Sequence, residues 1–200
     1  MTCKINLDTS SGLQLESDTS GALDIQSNGV TKMSMDTSGN LTANSFIGIT
    51  KPLILHVRDE KTATTSGGSS SAATDNVRTL NTVVTNEITG ASLASNQITL
   101  PAGTYSIQAT APAFLTNRHR IFLYNTSDSA VEVLGRNVYS DSTDSGFNTS
   151  DMTGRFTIAS SKVFELRHYT ESARASNGLG VDANDSRTSI FADVIITKVA

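Results

Sequence analysis

Three histidines, a run of acidic residues and one Glu–Arg strand face are the groups of this 200-residue chain that could do chemistry. His56, His119 and His168 stand far apart and share no spacing with a nucleophile or a metal ligand. Alternation along Val163 to Tyr169 puts His168 on the Phe164/Leu166 face, which predicts a core histidine. His119, between Arg118 and Arg120, reads as part of a solvated cluster at a strand start. The segment from Asp141 to Asp151 offers the oxygen ligands a hard cation takes. Its spacing lacks the Asp-x-Asp-x-Asp-Gly core and the bidentate Glu of a calcium loop, so a polar loop is expected, and likewise around Asp182 and Asp185. No catalytic residue, cofactor site or metal site is expected. The other face of the same strand carries Val163, Glu165, Arg167 and Tyr169, a mixture suited to a subunit interface. Val163 and Tyr169 are the candidate interface residues of the C-terminal part.

These groups need elements to hold them, and the elements are strands. Ser and Thr exceed a quarter of the chain, Trp is absent and only 17% of residues are charged. That balance suits β-structure facing water through hydroxyls. Net charge is −4, and no basic stripe exists, which argues against nucleic acid and anionic membrane as partners. No apolar run approaches 18 residues, and the N-terminus shows no apolar signal-peptide core. A lone cysteine, Cys3, excludes an internal disulfide framework. The Asn-x-Ser/Thr triplets at Asn125, Asn148 and Asn184 read as chance in so hydroxyl-rich a chain.

The first forty-odd residues repeat. Asp8-Thr9-Ser10-Ser11-Gly12-Leu13-Gln14-Leu15 returns as Asp18-Thr19-Ser20-Gly21-Ala22-Leu23-Asp24-Ile25, and in part as Asp36-Thr37-Ser38-Gly39-Asn40-Leu41. Apolar pairs recur at Ile5/Leu7, Leu13/Leu15, Leu23/Ile25 and Met33/Met35. That is short strand, tight turn, short strand, with one apolar edge per unit. Such an edge cannot bury itself within one chain. Three copies wound about one axis would cover it, with Leu13, Leu15, Leu23, Ile25, Met33 and Met35 at the trimer interface. Residues 1–45 are therefore expected to form a stem, 46–52 a hinge and 53–200 a head.

From Leu53 the pattern changes to longer strands. Leu53–Val57, Gln97–Leu100, Thr104–Ala109, Arg120–Tyr124, Val131–Leu134, Arg155–Ile158, Lys162–Tyr169 and Ser189–Val199 are the expected ones, with no helical period between them. Pro101-Ala102-Gly103 predicts a tight hairpin turn with Gly103 left-handed, and places Tyr105, Ile107 and Ala109 on one face. The tract Thr62 to Ala73 reads as a mobile surface loop, and residues 140–151 and 172–187 as further loops. The last strand is apolar enough to be central and buried on both sides, which implies the non-sequential pairing of a jelly roll.

At Ile98-Thr99-Leu100-Pro101-Ala102-Gly103-Thr104-Tyr105, Phe122-Leu123-Tyr124-Asn125 and Ser189-Ile190-Phe191-Ala192-Asp193-Val194-Ile195-Ile196 the chain resembles the globular heads of C1q/TNF-like proteins. The Asp-Thr-Ser-Gly repeats are similar to the stems of tailed-bacteriophage fibres. The resemblance implies an all-β homotrimer: jelly-roll β-sandwich heads preceded by an intertwined β-repeat stem. It implies a structural virion protein without turnover, a short fibre or a capsid or tail decoration protein anchored by its stem to other virion proteins. It would sit on the particle surface after assembly in the host cytoplasm. The runner-up is a receptor-binding tip that holds host surface glycan on the loops 62–74, 140–151 and 172–187. A secreted C1q/TNF-like ligand would explain the head but not the repeats.

Overall fold

The Asp36-Thr37-Ser38-Gly39 copy of the repeated motif is a turn, and Asp36 closes it. Its carboxylate accepts hydrogen bonds from the Ser38 and Asn40 amides, both 2.9 Å, and from the Asn40 side chain, also 2.9 Å. The Asn40 side-chain bond, more than any other cause, holds the Asp36 carboxyl below its ordinary range. Gly39 takes φ +82°, a left-handed conformation that costs glycine little. The computed structural model describes residues 23–27, 30–43, 51–143 and 146–199, so Cys3, Leu13 and Leu15 lie outside the described residues, as does most of the expected hinge.

The chain divides into two units, residues 1–50 and 51–200. In the first, β1 (Leu23–Ser27), β2 (Val30–Met35) and β3 (Leu41–Ala43) form an antiparallel meander. The register sets Leu23 opposite Met35, Ile25 opposite Met33, Met33 opposite Ala43 and Met35 opposite Leu41. Residues directly opposite in a ladder share a face, so Ile25, Met33, Met35 and Leu41 gather on one side of this sheet.

The second unit holds β4 (Leu53–Lys61), β5 (Thr74–Val77), β6 (Thr82–Asn86), β7 (Ser92–Ala94), β8 (Gln97–Leu100), β9 (Gly103–Phe114), β10 (Asn117–Asn125), β11 (Ala130–Leu134), β12 (Val138–Ser140), β13 (Phe147–Ile158), β14 (Lys162–Thr170) and β15 (Ser189–Lys198). One sheet runs β13-β9-β15-β4-β6. The other runs β11-β10-β14-β8-β7, with β12 on β10 and β5 on β14. Every pairing is antiparallel and the chain crosses repeatedly between the two sheets, which makes this a jelly-roll β-sandwich. Among the described residues there is no α-helix. Leu55 and Val57, Ile98 and Leu100, Tyr105 and Ile107, Ile121 and Leu123, Phe164 and Leu166, and Val194 and Ile196 meet in the core between the sheets. Each such side chain contributes on the order of 1.5–3 kcal/mol by leaving water.

The structure corrects several expectations. Gln97–Leu100 and Gly103–Phe114 do not form a hairpin: β8 pairs with β7 and β14, whereas β9 pairs with β13 and β15 in the opposite sheet. Pro101-Ala102 is a corner at which the chain changes sheets. Gly103 has φ 158°, an extended strand conformation rather than a left-handed one. The face predicted for Tyr105, Ile107 and Ala109 holds, because alternation does not depend on which strand is the neighbour.

β15 is central, as expected, but buried on one face only; Asp193 and Ile195 are half-buried on the outward side. The tract 62–73 is not a free loop. Gly67 and Ser70 are buried, and the backbones of Gly67, Gly68 and Ser70 bond those of Gly180, Leu179 and Arg174. A Cβ on Gly67 would run into the Leu179 carbonyl, which is why glycine stands where the two loops touch. Finally, Phe147 to Asp151 is strand, paired along β9 from Phe114 to Thr110.

Candidate functional site

β10 carries the polar residues that define two sites, one on each side of its sheet. Its alternation turns His119, Ile121, Leu123 and Asn125 inward and Arg118 and Arg120 outward. The expectation of a solvated His119 fails, because the strand begins two residues before it, at Asn117. His119 as a residue is only 2% exposed. His119 Nδ1 lies 3.0 Å from Nε2 of the fully buried His168, so the two rings share one hydrogen bond. The other ring nitrogens, His119 Nε2 and His168 Nδ1, have no hydrogen-bond partner.

Close to this pair sits a buried guanidinium that sequence reading missed. Arg78 is 0% exposed. It donates to the carbonyls of Leu179 (2.9 Å), Phe191 (2.6 Å) and Pro112 (3.4 Å), joining the 172–187 loop, β15 and β9. Burial, opposed by the nearby Asp59 charge, lowers its pKa to about 10. Asp59 is itself buried and pairs with Lys61 at 3.0 Å. Burial, and then the Arg78 charge, lowers the pKa of His119 to about 4 and that of His168 well below its ordinary value. Both imidazoles are therefore neutral at neutral pH. With Arg78 and His168 fully buried, this cluster orders the core, and His119 also borders the cavity on the other side of the strand.

On the outward side of the same strand lies an open cavity of about 680 Å³. Its wall residues include Arg118, Arg120, Asn137, Tyr139 and Tyr169. Register explains the grouping: Arg118 stands opposite Tyr139 on β12, and Arg120 opposite Tyr169 on β14. Arg118 is paired with Glu171 at 2.5 Å. Arg120 reaches only the Asn137 side-chain oxygen, at 3.5 Å, and has no carboxylate partner among the described residues. Tyr139 is 56% exposed.

The remaining candidates scatter. His56 lies 2.5 Å from Asp193 on the outward face of the five-stranded sheet, and Arg58 joins Asp193 at 3.3 Å. Asp141 closes a local turn onto the Thr143 amide and hydroxyl. Asp151, on β13, accepts from Thr110. Asp182 accepts from Ser189, which chiefly holds its carboxyl low, and Asp185 faces Arg187. Among the described residues no three His, Cys, Asp or Glu side chains gather as metal ligands would. Val163 and Tyr169 are half-buried on the outward face of the seven-stranded sheet. Between them Glu165 and Arg167 pair with each other at 2.9 Å; Gln97 bonds Glu165, and Arg167 lies over the Tyr124 ring. In the first unit Ile25 and Met35 are 47% and 40% exposed and Met33 is half-buried.

The head is an antiparallel jelly-roll β-sandwich. No family model matches the chain, and no curated protein matches it. Among solved structures, murine APRIL at pH 5.0 superposes with TM-score 0.49 at 10% identity, over 74% of this chain and all of that one. The globular domain of zebrafish complement 1qA protein gives TM-score 0.45 at 10% identity, over 75% of this chain and 98% of that one. The PRD1 vertex protein P5 gives 0.45 at 17% identity, over 74% and 97%. These are likenesses of chain path alone.

Proposed function

We propose that the chain is a homotrimeric structural protein of a tailed-bacteriophage virion: a short fibre or a capsid or tail decoration protein. Its N-terminal repeats anchor it to other virion proteins and its jelly-roll head is displayed. The observation that carries this reading is the apolar face of the meander, where Ile25, Met35 and Leu41 stand 40–54% exposed. A three-stranded sheet has no second layer of its own, and its apolar face gains about 25 cal/mol for each Å² removed from water. Two further copies of the same repeat supply that cover. The likeness of the repeats to fibre stems supports the virion setting.

In the head we assign subunit contact to the outward face of the five-stranded sheet. Phe147 and Ile190 are 54% and 48% exposed on β13 and β15. Val163 and Tyr169, half-buried on the outward face of the other sheet, leave less apolar surface open than these two. The function is display, with no chemical turnover. One observation favours a second reading, a receptor-binding tip for host glycan, and it is that same cavity.

Antibody raised against residues 53–200 and applied to intact particles of the encoding phage tests the virion setting. Gold label in electron micrographs should decorate the particle surface at fixed positions. Particles free of label, with the protein found only in the lysate, would overturn the reading.

A further inference from the structure

We infer that the cavity between β10, β12 and β14 binds a carboxylate-bearing sugar. The inference deepens the receptor-tip reading and rests on it, but not on the trimer.

Arg120 points the way. It is half-buried, so its guanidinium has lost part of its hydration, and no carboxylate of the described residues compensates it. Its neighbour Arg118 is already neutralised by Glu171. The cavity thus presents one uncompensated positive charge in a planar fork, which suits a single carboxylate held by two parallel N–H···O bonds. A polysulfated chain would need several free cations, and a chain of net charge −4 lacks the basic stripe that would hold it.

The other walls suit the rest of a sugar. Tyr139 and Tyr169 bring two aromatic rings, whose faces pack against the C–H side of a pyranose ring while their hydroxyls remain available for hydrogen bonds. The Asn137 side chain is exposed and able to bond sugar hydroxyls. The cavity volume of about 680 Å³ falls in the range of small-ligand sites, about 300–1,000 Å³. Such a site is weak singly and gains by repetition on one particle.

The test uses the full-length protein, labelled, on an array printed with sialylated, glucuronosylated, sulfated and neutral oligosaccharides. Signal is expected on the carboxylated spots alone. Arg120→Gln should weaken it about tenfold or more, because glutamine is neutral and cannot make the two parallel charge-assisted bonds. Tyr139→Ala should weaken it about fivefold, about 1 kcal/mol of ring packing. Lys51→Gln, whose exposed side chain pairs with Glu87 away from the cavity, should leave binding unchanged. Absence of signal, equal signal on neutral or sulfated spots, or an Arg120→Gln protein that binds as before would overturn the inference. If Arg120→Gln does not fold, the more exposed Tyr139 carries the test. Gold label on particles with a blank array removes the sugar and keeps the virion reading; array binding without label does the reverse.

Discussion

Arg78→Met destabilises the head by about 4 kcal/mol, the largest effect expected of any single substitution, because a buried charge network loses one partner. The physical reason is in three carbonyls. Arg78 supplies N–H donors to Leu179, Phe191 and Pro112, which belong to separate segments. Methionine fills much of the volume but donates nothing, so these carbonyls are left buried and unpaired, at about 1–3 kcal/mol for each well-made bond. Asp59, also buried, keeps only Lys61. Arg78→Lys retains the charge but puts its donors on one compact nitrogen instead of a planar fork spanning the three carbonyls, and should lose about half as much. Urea unfolding of the isolated variants, followed by a midpoint shift at constant slope, measures both. A loss under about 1 kcal/mol for Arg78→Met would mean that other donors reach these carbonyls.

Acidification should weaken the head well before its carboxylates titrate. The free histidine pKa is near 6.5; in the folded head burial brings His119 to about 4 and His168 well below its ordinary value. Between those values the unfolded chain binds protons that the folded head does not. Stability from the neutral pair is therefore complete above pH 6.5 and is lost as the pH falls toward 4. The slope is about 1.4 kcal/mol per pH unit for each histidine, about 4 kcal/mol for the pair between pH 7 and pH 5. The depressed carboxyls Asp36, Glu87 and Asp182 act only at lower pH. Replacing both histidines by glutamine keeps a hydrogen-bonding pair without the titration. Its unfolding free energy should be nearly flat from pH 7 to 5, whereas an unchanged slope would place the acid sensitivity elsewhere.

Much of the head was legible in the sequence because strand periodicity is local. Leu53, Gln97, Lys162 and Ser189 each begin a strand where expected, and the Tyr105/Ile107/Ala109 face is buried. What stayed hidden is non-local. Pro101-Ala102-Gly103 marks a change of direction, but nothing in those residues says whether the next strand pairs with the last or crosses to the facing sheet. β5, β6, β7 and β12 are three to five residues long and carry too few turns of alternation to stand out. Arg78, in Val77-Arg78-Thr79, looks like any surface arginine; only the packing of three distant carbonyls around it reveals its role. The cavity had a partial signal, Arg118 and Arg120 two apart on one strand face, but Tyr139 and Tyr169 join them only through register.

The central claim is that the apolar faces left open on one chain are closed by two more. Light scattering of the full-length protein, diluted after size exclusion, measures it most directly. The account predicts a species of three times the 21.1 kDa chain mass that persists on dilution. A stable species of one chain mass would show that the meander finds its cover within the chain, and would contradict it.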